Sequence, residues 1–396
     1  MSLAHMDVAP QRTPEFAESG LTGGWEPAVL VAATLALAAF GLVNLHSASA
    51  FLAERQGHAD TFYVARQAVG LAVGLVVLAI TARVPYRWWR RLAWPLVATV
   101  WVALVFMALP WTHAWAPEIN GARRWLNVGV TLQPSEFAKL AIIVWTAHLA
   151  VKKQGVFRSL SRGLLPFLIV WGMILLPILL QPDLSTAFVV GMLGALTVFV
   201  AGARLGHFAF LALILSPLIL AQLGSGFRQD RIMAFQNLSE HTGAAGYQVH
   251  QSLIALGSGG VTGVGFGEGR QKFGFLPEPH NDFIFSMIGE EWGLLGVGSL
   301  LILYLLIVVV GFRIARRAPD LFGQLLALGA ANLIALQATL HMAVGLGVLP
   351  PTGLSLPLVS YGRSNLLVVM AAVGILVAVA RAAPAMPPGS SREAAV

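Results

Sequence analysis

Ten stretches of nearly unbroken apolar sequence set the possibilities for this chain, at residues 27–47, 63–80, 92–109, 135–151, 164–180, 184–201, 205–223, 283–312, 321–349 and 356–380. A helix rising about 1.5 Å per residue crosses a hydrocarbon core about 30 Å thick in about 20 residues, close to the length of these runs. No water inside a bilayer satisfies open strand edges, and the runs are too continuous for the alternating pattern of a membrane barrel, so helices are the viable solution. The expected fold is an all-α polytopic membrane protein with about ten transmembrane helices and a long extracytoplasmic loop, 224–282, between helices 7 and 8. Only 11% of residues are charged, against about 25% in soluble domains, which excludes an ordinary soluble enzyme.

The placement of charge predicts orientation. Arg83, Arg87, Arg90, Arg91, Lys152, Lys153, Arg158, Arg162, Arg204, Arg313, Arg316 and Arg317 fall in alternate short connections, and the opposite set offers mainly Arg55, Arg123 and Arg124. Cytoplasmic loops carry the excess of Lys and Arg, so both termini are expected in the cytoplasm. Residues 1–24 then form a cytoplasmic tail, 25–382 the ten-helix membrane domain and 383–396 a disordered, Pro- and Ala-rich cytoplasmic tail. The net charge of +7 is thereby assigned to a membrane surface, with no nucleic-acid partner expected. The absence of cysteine excludes disulfides, thiolate zinc sites and a cysteine nucleophile. No internal repeat and no paired broken helices are evident, as an inverted-repeat carrier would favour.

The glycines at 257, 259, 260, 263, 265, 267 and 269 never satisfy G-x-G-x-x-G and suit turns better than dinucleotide binding. HExxH, GxSxG and Walker patterns are missing. Asp282 ends the long loop at the entry to a spanning helix, where it is either a helix N-cap or a general base at the depth of a lipid headgroup. Glu290 and Glu291 are ionisable groups within an apolar run, which serve either a structural ion pair or chemistry, and only Glu290 lies near the helical face of Asp282. Glu136 and Lys139 are i, i+3 neighbours, read either as a neutralising pair or as the lining of a polar cavity for an anionic headgroup. Asp183 reads as a cap. Arg123 and Arg124 either snorkel or bind phosphate, and Arg363 must snorkel or pair, with Glu290 or Glu291 as candidates.

Taken together, Gly121 to Trp125, Gln133 to Lys139, Gln181-Pro182-Asp183, Tyr247 to Gly260, Phe275 to Glu291 and Leu349 to Asn365 resemble the SEDS family of bacterial membrane proteins over essentially the whole membrane part. Gln251 to Gly260, Arg270-Gln271-Lys272 and Ile288 to Glu291 are more similar to its division branch than to its elongation branch. Asn281, His341, Arg363 and Asn365 depart from the residues common in the family. The resemblance implies a peptidoglycan glycosyltransferase of the bacterial cytoplasmic membrane, at the division septum. It would polymerise lipid II with Asp282 as the catalytic residue, in an inverting displacement of undecaprenyl pyrophosphate. The candidate substrate-binding set is Glu136, Lys139, Arg123, Arg124, Asp183, Arg270, Lys272, His280, Glu290 and Ser360. The implied partners are a class B penicillin-binding protein, other division proteins and membrane lipid. No essential cofactor is identified, with room for a divalent cation, Mg²⁺ or Mn²⁺. A lipid-linked precursor flippase and a non-catalytic division scaffold are the competing readings.

Orientation is open to direct test because the chain has no native cysteine. A Ser258→Cys variant is expected to react with a membrane-impermeant maleimide added outside the cell, and labelling only from the cytoplasmic side overturns the scheme.

Overall fold

The computed structural model describes residues 24–109, 111–118, 122–127, 129–157, 159–210, 213, 216 and 244–383. These form α1 (Trp25–Arg55), α2 (Phe62–Arg83), α3 (Trp89–Ala108), α4 (Pro134–Lys152), α5 (Leu165–Leu180), α6 (Leu184–Val200), α7 (Ala244–Gly259), α8 (Ile284–Arg316), α9 (Leu321–Gly345) and α10 (Arg363–Ala382). A further helical stretch starts at 205–210, and the rest of the span expected at 205–223 lies mostly outside the described residues, as does 224–243. Among the described residues, seven helices are long and apolar enough to cross a membrane: α1, α2, α3, α5, α8, α9 and α10, with α3 and α5 counted together with their preceding turns. The apolar helix α6 is shorter, at 17 residues. Helix α4 has 19 residues but carries Glu136, Lys139 and Lys152.

Two findings modify the sequence expectation. The 224–282 connection is not all loop, since its middle contains α7. The fold is also not purely helical: β1 (Leu126–Asn127) and β2 (Thr131–Leu132) pair antiparallel, with Leu126 opposite Leu132 and Asn127 opposite Thr131. Gly129, at φ +85°, supplies the left-handed turn between them.

Helix starts follow local chemistry. Pro134 opens α4, where a missing N–H costs nothing. Asp183 and Asp320 cap α6 and α9 by accepting from the Thr186 and Gly323 amides at 3.2 and 2.7 Å. Cross-helix bonds define the two ends of the bundle. At one end Gln133 meets Ser364, Gln67 meets Ser360, and Ser47 meets Glu291. At the other, Glu26 pairs with Arg313 and Arg317, and Arg87 approaches Asp320. Helices α4, α9 and α10 form much of the interior, and α9 approaches α4 so closely that a Cβ on Gly329 would lie 2.3 Å from Ile143 Cγ2.

Helix α8 has 33 residues, about 50 Å if straight, far more than a bilayer needs. The structure resolves the excess by interrupting it at Gly293, whose φ and ψ are +61° and −155°, a conformation that disfavours a side chain. The apolar pattern runs through this point, so the sequence signalled no broken helix. In a regular helix Leu294 and Leu295 would donate to the carbonyls of Glu290 and Glu291. Instead, Leu294 and Leu295 donate to Gly260 and Val261 at 3.0 and 3.1 Å, and Glu290 and Glu291 accept from Val264 and Gly265 at 3.0 and 3.2 Å. Segment 260–265 thus takes over both sides of the broken ladder, which keeps backbone groups satisfied within an apolar protein.

This docking accounts for two of the seven glycines, Gly259 and Gly263. A Cβ on Gly259 would lie 1.9 Å from the Gly289 carbonyl oxygen, and one on Gly263, at φ +83°, would lie 2.1 Å from that of Glu291. Gly263→Ala is therefore expected to cost at least about 1–3 kcal/mol, read as a lower thermal midpoint of the purified protein. Gly257→Ala, in α7 with nothing within 4 Å of the new Cβ, is expected to be neutral or stabilising by up to about 1 kcal/mol. Equal midpoints for the two variants would contradict the docking account.

Candidate active site

Asp282 is half-buried and lies just before α8. The capping position of that helix is Phe283, so Asp282 precedes the cap and the N-cap alternative does not describe it. Its face relation to Glu290, argued from helical spacing, fails for the same reason: Asp282 is not on the helix. Asp282 N–H closes a turn on the Glu278 carbonyl at 3.1 Å, and the side chains of Phe283 and Phe285 behind it are almost completely buried. Gly353, in the left-handed region at φ +72°, lies beside its carboxylate, where a Cβ would sit 3.8 Å from Asp282 Oδ2.

The turn holding Asp282 is clamped from the α9–α10 connection. Ser360 Oγ donates to the Asn281 carbonyl at 2.7 Å and accepts from Leu356 N–H at 2.9 Å. Tyr361 N–H donates to the His280 carbonyl at 3.1 Å. The His280 ring lies against Tyr63 and Tyr361, with centroids 4.7 and 5.8 Å apart. Burial lowers its pKa to about 4, so at neutral pH the 3.8 Å approach of Glu278 is to an uncharged ring. Ser360 and His280, both expected to touch substrate, hold or form part of the Asp282 turn.

The same connection continues to the pair on α4. Lys139 Nζ lies 2.6 Å from Glu136 Oε1, and both side chains are buried. Asn365 Nδ2 donates to the second carboxylate oxygen at 2.8 Å. Ser364 Oγ accepts from Gln133 N–H at 2.9 Å, and Gln133 Nε2 reaches Asp183 Oδ2 at 3.4 Å. Ser360, Ser364 and Asn365 therefore join the Asp282 turn to Glu136, Lys139 and Asp183. Asn365 had no local signal in the sequence, because its partner lies 229 residues away.

Arg270, Lys272, Glu290 and Glu291 belong to a second cluster. Glu290 accepts from the Arg270 and Gln271 amides at 2.8 and 3.3 Å. Lys272 Nζ lies 2.8 Å from Glu291 Oε1, donates to Ser47 Oγ at 2.9 Å and to the Gly267 carbonyl at 2.5 Å, and Ser47 donates to Glu291 at 2.5 Å. These groups tie the loop to α1 and α8. Neither glutamate pairs with Arg363, contrary to expectation.

Arg124 donates to the Gln181 and Pro182 carbonyls at 3.2 and 2.7 Å, and Arg123 to the Leu109 carbonyl at 3.4 Å with His113 at 3.1 Å. Both fix the entry to α4 through backbone acceptors. Among the described residues no three His, Asp or Glu side chains converge.

Over residues 28–384 the chain matches the family FtsW/RodA/SpoVE, described as a cell cycle protein. The chain belongs to this family. A probable peptidoglycan glycosyltransferase FtsW from Trichlorobacter lovleyi is 41% identical over 351 residues, covering 88% of this chain and 91% of that protein. Stage V sporulation protein E of Bacillus subtilis is 39% identical over 355 residues, covering 89% and 96%. A chain from a peptidoglycan synthase complex that coordinates polymerization and crosslinking superimposes with a TM-score of 0.75 at 29% identity, covering 91% of this chain and 98% of that one. RodA of Thermus thermophilus gives 0.67 at the same identity and coverage. Family membership and seven apolar helices make this a multi-pass membrane protein.

The Glu136–Lys139 pair yields a test of its own. Removing one partner of a buried pair strands the other charge, at a cost of about 3–5 kcal/mol, whereas an apolar replacement of both is often close to neutral. Lys139→Met is expected to lower the thermal midpoint more than the double variant Glu136→Leu/Lys139→Met. Unchanged stability and activity in both single variants, Lys139→Met and Glu136→Leu, would remove the pair from the site.

Proposed function

We propose that this chain is a peptidoglycan glycosyltransferase that polymerises lipid II into glycan strands on the outer side of the bacterial cytoplasmic membrane. The observation that carries this reading is the position of Asp282: half-buried, outside the capping position of α8, and clamped through Ser360 to the segment that also reaches Glu136 and Lys139. As the acceptor sugar hydroxyl attacks the anomeric carbon of the donor it must lose a proton, and Asp282 is the general base that takes it. The bond from that carbon to the lipid pyrophosphate breaks, and the departing pyrophosphate requires positive charge but no strong acid. One base and one displacement give inversion, by the logic of inverting glycosidases.

Glycan polymerisation pairs naturally with a crosslinking enzyme, and a class B penicillin-binding protein is the partner expected from the complex that this chain resembles in fold. The FtsW name of the relatives supports a septal role with other division proteins. The Lys and Arg asymmetry supports cytoplasmic termini and an outer Asp282 end.

Asp282→Asn keeps the size of the side chain and removes its basicity. The variant is expected to fold, insert and bind its partner while losing about 10²- to 10⁴-fold in lipid II polymerisation. Near-normal polymerisation by purified Asp282→Asn would move the base elsewhere.

A further inference from the structure

Arg363 opens α10 between two groups of residues already assigned to the site. Gly362 before it donates to Gln67 Oε1 at 3.3 Å, and Gln67 Nε2 donates to the Ser360 carbonyl at 3.2 Å, so the backbone entering α10 is fixed on α2. Ser364 and Asn365 after it bond Gln133 and Glu136. The stem of Arg363 lies over Gly70 of α2, where a Cβ would come within 3.1 Å of Arg363 Cγ. The missing side chain at 70 is what admits the arginine.

Arg363 as a whole is half-buried, with its stem on α2, and among the described residues no carboxylate lies in ion-pair range of it. Four buried acids of this end have other partners: Glu290 the Arg270 and Gln271 amides, Glu291 Lys272 and Ser47, Glu136 Lys139 and Asn365, and Asp183 the Thr186 amide and Gln133. A cation in the first turn of a helix also opposes the positive end of the helix dipole. A charge held in that position within a membrane bundle without a protein counter-ion calls for an anion from outside the chain.

Resting on the proposed function, we infer that Arg363 is a substrate-binding residue that receives the diphosphate of the lipid-linked donor. The planar fork of an arginine matches two phosphate oxygens. Its neighbours in sequence reach Asn281, next to the base, on one side and the Glu136–Lys139 pair on the other. A cation there meets the pyrophosphate in the bound donor and again as negative charge grows on the leaving group.

The test uses the full-length protein in phosphatidylcholine nanodiscs, with fluorescent lipid II as the probe. Arg363→Gln is expected to weaken lipid II binding about 10- to 100-fold, to reduce its salt sensitivity, and to keep the wild-type thermal midpoint. Arg363→Lys is expected to fall between the two and to retain the salt sensitivity. Binding by Arg363→Gln within twofold of wild type would overturn the assignment. So would a variant that binds lipid II normally but loses a response of the wild type to added phosphatidylglycerol, since the phosphate would then belong to a membrane phospholipid. If Arg363→Gln fails to fold, Arg363→Met takes its place, and lipid II binding by that variant within twofold of wild type and with unchanged salt dependence overturns the assignment as well. Polymerisation by the wild type tests the proposed function, and the ratio of binding constants tests Arg363, so either can fail without the other.

Discussion

The exchange of backbone hydrogen bonds between the interrupted helix α8 and segment 260–265 is the constraint on which the Asp282 end depends. An apolar helix can be broken inside a membrane protein only if another backbone replaces the lost partners. Here Gly260, Val261, Val264 and Gly265 replace them, at the expense of glycine wherever a Cβ would collide. Once that segment is fixed, the chain that follows it is held by carboxylates of the same helix. Glu290 gathers the amides of Arg270 and Gln271, and Glu291 takes Lys272. The turn that ends in Asp282 thus starts from a fixed anchor and finishes on a second one, the Ser360 bond to Asn281.

What was legible in the sequence divides along the range of the interactions. The i, i+3 relation of Glu136 and Lys139 is local, and the structure shows the pair at 2.6 Å. The capping role of Asp183 is also local and is present. The apolar runs marked the described helices other than α7, because length and composition alone decide membrane spanning. The break at Gly293 was hidden because apolar residues continue on both sides and a single glycine is tolerated in helices. Its cause lies some 30 residues upstream, in a segment whose glycines read only as turns. Arg363 was assigned a partner on charge alone. The two candidate glutamates are taken by amides and by a lysine that no periodicity places near them.

The two buried acid–base pairs at this end work differently despite similar distances. Glu291 and Lys272 join parts of the chain far apart in sequence, with Ser47 of α1 as a third member, so their desolvation cost is offset by fixing a loop in one place. Glu136 and Lys139 sit on one helix and constrain little by themselves. A buried pair of that kind is weak evidence for stability, because two apolar residues often serve as well. Its connection through Asn365 to the segment that supports Asp282 is what gives it a part in the site.

Burial separates Asp282 from the other acids of this end. Glu136, Asp183, Glu290 and Glu291 are each buried and each accept hydrogen bonds from at least two protein groups. A carboxylate so engaged can neither gain a proton nor approach a sugar hydroxyl without breaking the contacts that hold the helices in place. Asp282 is only half-buried and lies outside α8. A general base must be positioned before the acceptor arrives, and the clamped turn that carries Asp282 meets that condition. The residues that fix this turn and the loop before it, His280, Ser360, Glu290 and Lys272, are among those that read as ligands in the sequence, and the structure gives each of them protein partners.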